Sequence, residues 1–266
     1  MSDASTEASE RPGLLRLTWC VIARPRRALT LIGERGRRTW WLPALLILTL
    51  ATAPTVASGP IRTRQLREEM RAAQEEMASR MGDQLSEEDL ERAQSITASP
   101  MITVVFPAVS RAVGQVAGWL IWAAALYLAS MALGGRSSFG QMFPVTVWAG
   151  LPYALRGLIQ TIYVLTSGQL IAHPGLSGLV QPERSVAEVI GSPPGTGQRL
   201  LSALLGRVDL FMIWHMILLV VAVAAVTRLS RRKSLWVTLG VWILLTAVSL
   251  IPTLIGGFFT AARMGI

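Results

Sequence analysis

Apolar residues fall along this chain in long runs, over residues 40–58, 113–133, 142–165, 210–226 and 235–259, with polar and mostly basic stretches between them. A helix of about twenty residues is about 30 Å long, the thickness of a bilayer hydrocarbon core. The pattern predicts an all-α, polytopic membrane protein with five transmembrane helices. The second apolar region begins earlier, at Met101, and is interrupted by Arg111. From Met101 to Leu133 it would measure about 50 Å as a helix, so its first third is expected at the interface, with Arg111 reaching out to the headgroups. Pro144, Pro152 and Pro252 mark expected kinks.

Between the runs, the polar pattern predicts further helices. Leu14, Leu15, Leu17, Trp19, Val21 and Ile22 precede Pro25, and Leu29, Leu31 and Ile32 follow it. These pieces are too short and too basic to cross, and read as amphipathic helices broken at Pro25, lying in the interface or packed on the ends of the spans. In residues 59–99, Leu66, Met70, Ala73, Met77 and Met81 recur every three or four positions, with opposite charges four apart at Arg64/Glu68, Arg71/Glu75 and Glu76/Arg80. Gly82 ends that helix, and Ser86 with Asp89 starts a second, so an outer helical hairpin is expected, either a solvated connector or a docking surface. Residues 167–208 hold GSPPGTG and read as an outer loop, ending in helical periodicity at QRLLSALLGRVDLF. The organisation expected is an N-terminal segment, 1–39, and a five-span membrane domain, 40–266.

Composition agrees: 52% of residues are hydrophobic and 15% charged, against about 25% charged in soluble domains. The single Cys20 excludes an internal disulfide or a multi-cysteine metal site. The first ten residues are polar and slightly acidic, and Pro54 follows the small-residue triplet at 51–53, so the first run is expected to be an uncleaved anchor. The net charge of +9 gains meaning from its placement. With the N-terminus inside, thirteen Lys and Arg face four acids there, leaving +9; outside, ten Arg face twelve acids, leaving −2; Arg111 and Arg156 supply the other +2. The positive-inside bias predicts a multi-pass protein of the cell (cytoplasmic) membrane with a cytoplasmic N-terminus and, after five spans, an outside C-terminus. The basic stretch RPRRALTLIGERGRR then reads as a contact with anionic lipid at the cytoplasmic face. Nucleic acid is not expected as a partner, because no aromatic platform accompanies the charge.

Ionisable groups at membrane depth are costly and are treated as functional candidates. Tyr153, Arg156, Gln160 and Tyr163 are spaced three, four and three apart and share one helical face. Asp209 begins the fourth span from the same side, so Arg156 either pairs with Asp209, locking the two spans together, or snorkels outward alone. His215, beside Trp214, is expected to hydrogen-bond a neighbouring helix; no second metal ligand shares its span. Gly114 and Gly118 form a GxxxG pattern that permits close helix approach. HExxH, Gly-x-Ser-x-Gly, paired intramembrane aspartates and GxxxxGK[ST] are all missing from the sequence. No catalytic residue, metal or cofactor is assigned.

Several segments together resemble a known family. They are Trp19-x5-Pro25, TWWLPALL, LGGRSSFGQMF, VWAGLPYAL, VDLFMIWHMILL and the basic RLSRRKS. In their order around five spans they resemble the Yip family, the Ypt/Rab-interacting membrane proteins, in its bacterial branch. The near-exclusive use of Arg, with Lys233 the single lysine, is also in keeping with a bacterial source. The resemblance marks Gly135, Phe139, Pro152, Asp209, Phe211 and Trp214 as family-typical. It implies a non-enzymatic membrane scaffold, assembly or trafficking-type factor that associates with other membrane proteins, with self-association left open. The chain lacks the Asp-Leu-Tyr-Gly-Pro element of the eukaryotic branch, and Trp148, Gly150 and Pro152 only loosely echo its Gly-Tyr…Pro motif, which points away from Rab binding. The alternative is a transport component, either a small permease or an accessory subunit of an ABC-type exporter.

Overall fold

A computed structural model describes residues 13–81, 99–180 and 195–264. Within them the chain is helical, with no strand among the described residues. In order, the helices are α1 (Leu14–Ala23), α2 (Pro25–Arg35), α3 (Trp41–Ala57), α4 (Gly59–Met81), α5 (Phe106–Ala132), α6 (Phe139–Ala149), α7 (Leu151–Ser167), α8 (Thr196–Leu205), α9 (Leu210–Thr227) and α10 (Arg231–Met264). A 3-10 turn, Gly36–Thr39, leads into α3, and a π-turn, Met101–Val105, leads into α5.

Among the described residues, four helical stretches are long and apolar enough to cross a membrane: Trp41–Ala72, Met101–Ala132, Leu210–Thr227 and Arg231–Ile255. The expected span 142–165 is not one helix. It breaks at Gly150 into the eleven-residue α6 and the seventeen-residue α7. Pro152 is the physical reason, since it supplies no N–H to the carbonyl of Trp148 and disfavours helix at the residue before it. The broken pair still runs antiparallel to the whole of α9. Arg136 N–H donates to the Thr227 carbonyl at one end (3.0 Å), and Arg156 meets Asp209 at the other (3.1 Å). The eighteen residues of α9 cover about 27 Å.

The N-terminal helices are part of the bundle. Leu17 and Val21 of α1 and Leu29 and Ile32 of α2 are fully buried in the same core as Val145, Trp148, Leu219 and Val223. The close approach of α2 requires Gly33, where an added Cβ would sit 2.5 Å from Val226 Cγ1. The outer face of α1 stays exposed, with Trp19 at 69%. Packing on the ends of the spans and an outward apolar face therefore coexist.

Within residues 101–133 the helix is continuous from Met101 to Ala132, and Arg111 donates from Nε to the Ala51 carbonyl of α3 (2.7 Å). Pro54, inside α3, withholds the N–H that the Leu50 carbonyl would receive, one residue from this acceptor.

On the same side, α4 forms the first arm of the expected hairpin, with an exposed Arg64–Glu68 pair at 3.7 Å. The second arm, including Ser86 and Asp89, lies outside the described residues. The helix expected before the fourth span is α8, which packs against α10. Pro252 lies inside α10, and Pro144 inside α6.

Candidate functional site

The polar residues at membrane depth gather where α7 crosses α3 and α9. Each has a local reason to be there. Asp209 is the N-cap of α9, with Oδ1 accepting from Met212 N–H at 2.7 Å, which satisfies one of the free donors of the first turn. Its second oxygen, Oδ2, accepts from Arg156 Nη1 at 3.1 Å, and the two side chains are 15% and 23% exposed. One carboxylate thus caps one helix and ties it to another.

Two turns along α9, His215 is buried, with Nδ1 2.8 Å from the Ala149 carbonyl. A carbonyl only accepts, so Nδ1 carries the proton in this bond. The acceptor comes from the break at Gly150. In an unbroken helix Tyr153 N–H would donate to Ala149, but here it donates to Gly150 instead (2.9 Å), which leaves Ala149 for the histidine. Two aromatic rings enclose the imidazole, Tyr153 at 4.8 Å and Trp122 at 6.0 Å between centroids. Trp214, the sequence neighbour, is half-buried against the core and is not one of these two rings.

The stripe read from the sequence divides in this setting. Tyr153 and Arg156 reach α9, whereas Gln160 and Tyr163 belong to neither contact, and Tyr163 is exposed. The adjoining face of α7 carries Ala154 and Gly157, both buried, and among the described residues makes the most extensive helix contact, with α3. A Cβ on Gly157 would collide with the Leu50 carbonyl, which Pro54 leaves without its helical donor, one residue from the Ala51 carbonyl that receives Arg111. Gly157 was not singled out by sequence; the small residues spaced three apart at Ala154 and Gly157 were the available signal.

Gly114 and Gly118, which were singled out, face open space, since an added Cβ would meet nothing within 4 Å. Gly135 closes the α5–α6 turn. Its N–H donates to the Ser130 carbonyl (2.9 Å), a Cβ there would sit 2.8 Å from the same oxygen, and the preceding Gly134 adopts φ +84°. Phe139 starts α6 and packs its ring on Phe143 and Tyr127, at 6.0 and 6.3 Å. Pro152 stands in the first turn of α7, where its missing N–H costs nothing. Phe211 is half-buried in the first turn of α9.

A second link escaped sequence reading. Trp148, fully buried, donates from Nε1 to the Thr39 carbonyl at 3.0 Å and fastens the entry of α3 to α6. Chemically, the arrangement holds helices together. Arg156 and Asp209 bind one another, His215 satisfies the carbonyl freed by the break at Gly150, and Arg111 bonds the Ala51 carbonyl of α3. Among the described residues no group of three His, Cys, Asp or Glu side chains could hold a metal ion.

No curated protein and no solved structure matches the chain. A family model does, the Yip1 domain, over residues 19–260. That match takes in the second half of α1, α2 through α9 and most of α10, and with it the seam of Arg156, Asp209 and His215. With four membrane-length apolar helices beside it, this is an integral membrane protein, and the chain belongs to the Yip1 domain family.

Proposed function

We propose that the protein is a non-enzymatic scaffold or assembly factor of a bacterial cell membrane, acting by association with other membrane proteins. The observation that carries this reading is the use of the polar side chains at membrane depth. Arg156, Asp209 and His215 are engaged with one another's helices, in bonds that rigidify the bundle, while apolar side chains such as Ile159, Ile162, Ile213 and Ile217 are presented outward. A rigid bundle with an apolar exterior suits lateral association in a bilayer.

The orientation follows from charge. Arg16, Arg24, Arg26, Arg27, Arg35, Arg136, Arg228, Arg231, Arg232 and Lys233 gather at the end of the bundle where α2 meets the C-terminus of α9, with Glu34 the acid among them. We place that end in the cytoplasm against anionic lipid, the broken α6–α7 pair as one of five crossings, and the C-terminus outside. In this organisation residues 40–266 form the membrane domain and residues 1–39 its cytoplasmic entry.

Crosslinking in native membranes, followed by identification of what is joined to the chain, tests the reading. Association predicts stoichiometric membrane-protein partners. Recovery of the chain alone, together with solute flux by the pure protein in liposomes, would overturn it in favour of a permease.

A further inference from the structure

At the elbow after α1, Arg24 and the following turns of α2 line an open groove of about 550 Å³, with Pro25, Arg26, Arg27, Leu31 and Glu34 in its wall. Three guanidinium groups within four residues repel one another unless an anion lies between them. No carboxylate among the described residues forms an ion pair with Arg24, Arg26 or Arg27, and the one acid of the lining, Glu34, stands two turns further along α2. The planar fork of arginine matches the oxygens of a phosphate. Beside this charge the groove offers apolar surface, from Pro25 and Leu31. Just before the elbow, α1 holds Trp19 and Ile22 outward, at 69% and 45% exposure, while its other face is fully buried.

We infer that this groove binds the phosphate of an anionic phospholipid, with the acyl chains lying along the outward face of α1. The proposal rests on the reading above that this end of the bundle faces an anionic leaflet, and it assigns the contact to one site. The pairing of charge and apolar surface favours a lipid over a free phosphate: an exposed indole and a branched aliphatic beside a cationic groove serve an amphiphile and add nothing to the binding of a small soluble anion.

The test uses the full chain in a neutral detergent, with phosphatidylglycerol and phosphatidylcholine added in equal amounts and retained lipid counted by native mass spectrometry. The wild type is expected to retain phosphatidylglycerol over phosphatidylcholine by about tenfold or more. The triple change Arg24→Gln, Arg26→Gln, Arg27→Gln should abolish that preference, and the same three positions changed to Lys should keep most of it. Arg231→Gln, Arg232→Gln, Lys233→Gln, at the same end but outside the groove, should leave it intact. A preference that survives the groove triple, or that falls equally with either triple, overturns the site while the anionic-leaflet reading stands. No preference in the wild type overturns both. Displacement of the lipid by glycerol 3-phosphate or by an acidic peptide at matched concentration would reassign the groove to a soluble ligand and overturn the lipid proposal.

Discussion

Arg156 and Asp209, 53 positions apart in the chain, meet at 3.1 Å through one carboxylate oxygen while the other oxygen caps α9. The two duties can be separated by substitution. Asparagine caps a helix as well as aspartate does but carries no charge. Asp209→Asn is expected to cost about 2 kcal/mol, the worth of a hydrogen bond to a charged group, and Asp209→Ala about 1 kcal/mol more through the lost cap. Thermal unfolding in mild detergent measures both. In a cycle with Arg156→Gln, strict additivity would show that the pair contributes nothing.

The α3–α7 crossing depends on the missing side chain of Gly157. Gly157→Ala drives a methyl group into the Leu50 carbonyl and should destabilise the protein by about 1–3 kcal/mol through overpacking. Gly118→Ala, which meets open space, should unfold as the wild type does. Equal melting temperatures for the two variants would mean that the helices are not in contact at Gly157.

His215 satisfies the Ala149 carbonyl left free by the break at Gly150 between α6 and α7. His215→Ala strands that buried acceptor, with an expected loss of about 1–3 kcal/mol. Glutamine, which can donate from its amide, should recover part of it. Urea or heat unfolding of both variants reads the difference, and an alanine variant as stable as the wild type would remove the bond from the account.

Trp148→Phe keeps most of the buried volume and removes the bond to Thr39. A loss of about 1 kcal/mol is expected, concentrated where α3 begins. Hydrogen exchange followed by mass spectrometry should show faster exchange over residues 25–40 and unchanged rates in α9. Uniform acceleration across the chain would argue for general loosening instead.

Single cysteines at position 86 or position 230, each in a Cys20→Ser chain, report the orientation. An impermeant maleimide added to intact cells is expected to label position 86 and to spare position 230. The reverse pattern would invert the topology, and with it the leaflet assigned to the basic end.

Much of this architecture was legible in residue order alone. Run length and hydropathy located the apolar helices, because burial in hydrocarbon demands the same composition wherever the helix ends up. The helical period placed Tyr153, Arg156, Gln160 and Tyr163 on one face, and the density of arginine separated one end of the bundle from the other. Those are local properties, each a function of a single segment.

Tertiary structure decided the rest, because contact depends on how segments are set against each other. The Gly114–Gly118 pattern and Gly157 have the same chemistry, yet an added Cβ meets open space at the first and a backbone carbonyl at the second. Arg111 reads as a headgroup contact in sequence, and only the packing of its helix against α3 set the Ala51 carbonyl within its reach. The imidazole of His215 needed an acceptor that exists only because a span predicted as one helix breaks at Gly150. The chain by itself determined which segments are apolar enough for a membrane and which of their faces are polar. Which of those polar groups find partners was settled by the carbonyls and carboxylate that neighbouring helices present, one of them freed at the Gly150 break, and by the helices packed close enough to reach them.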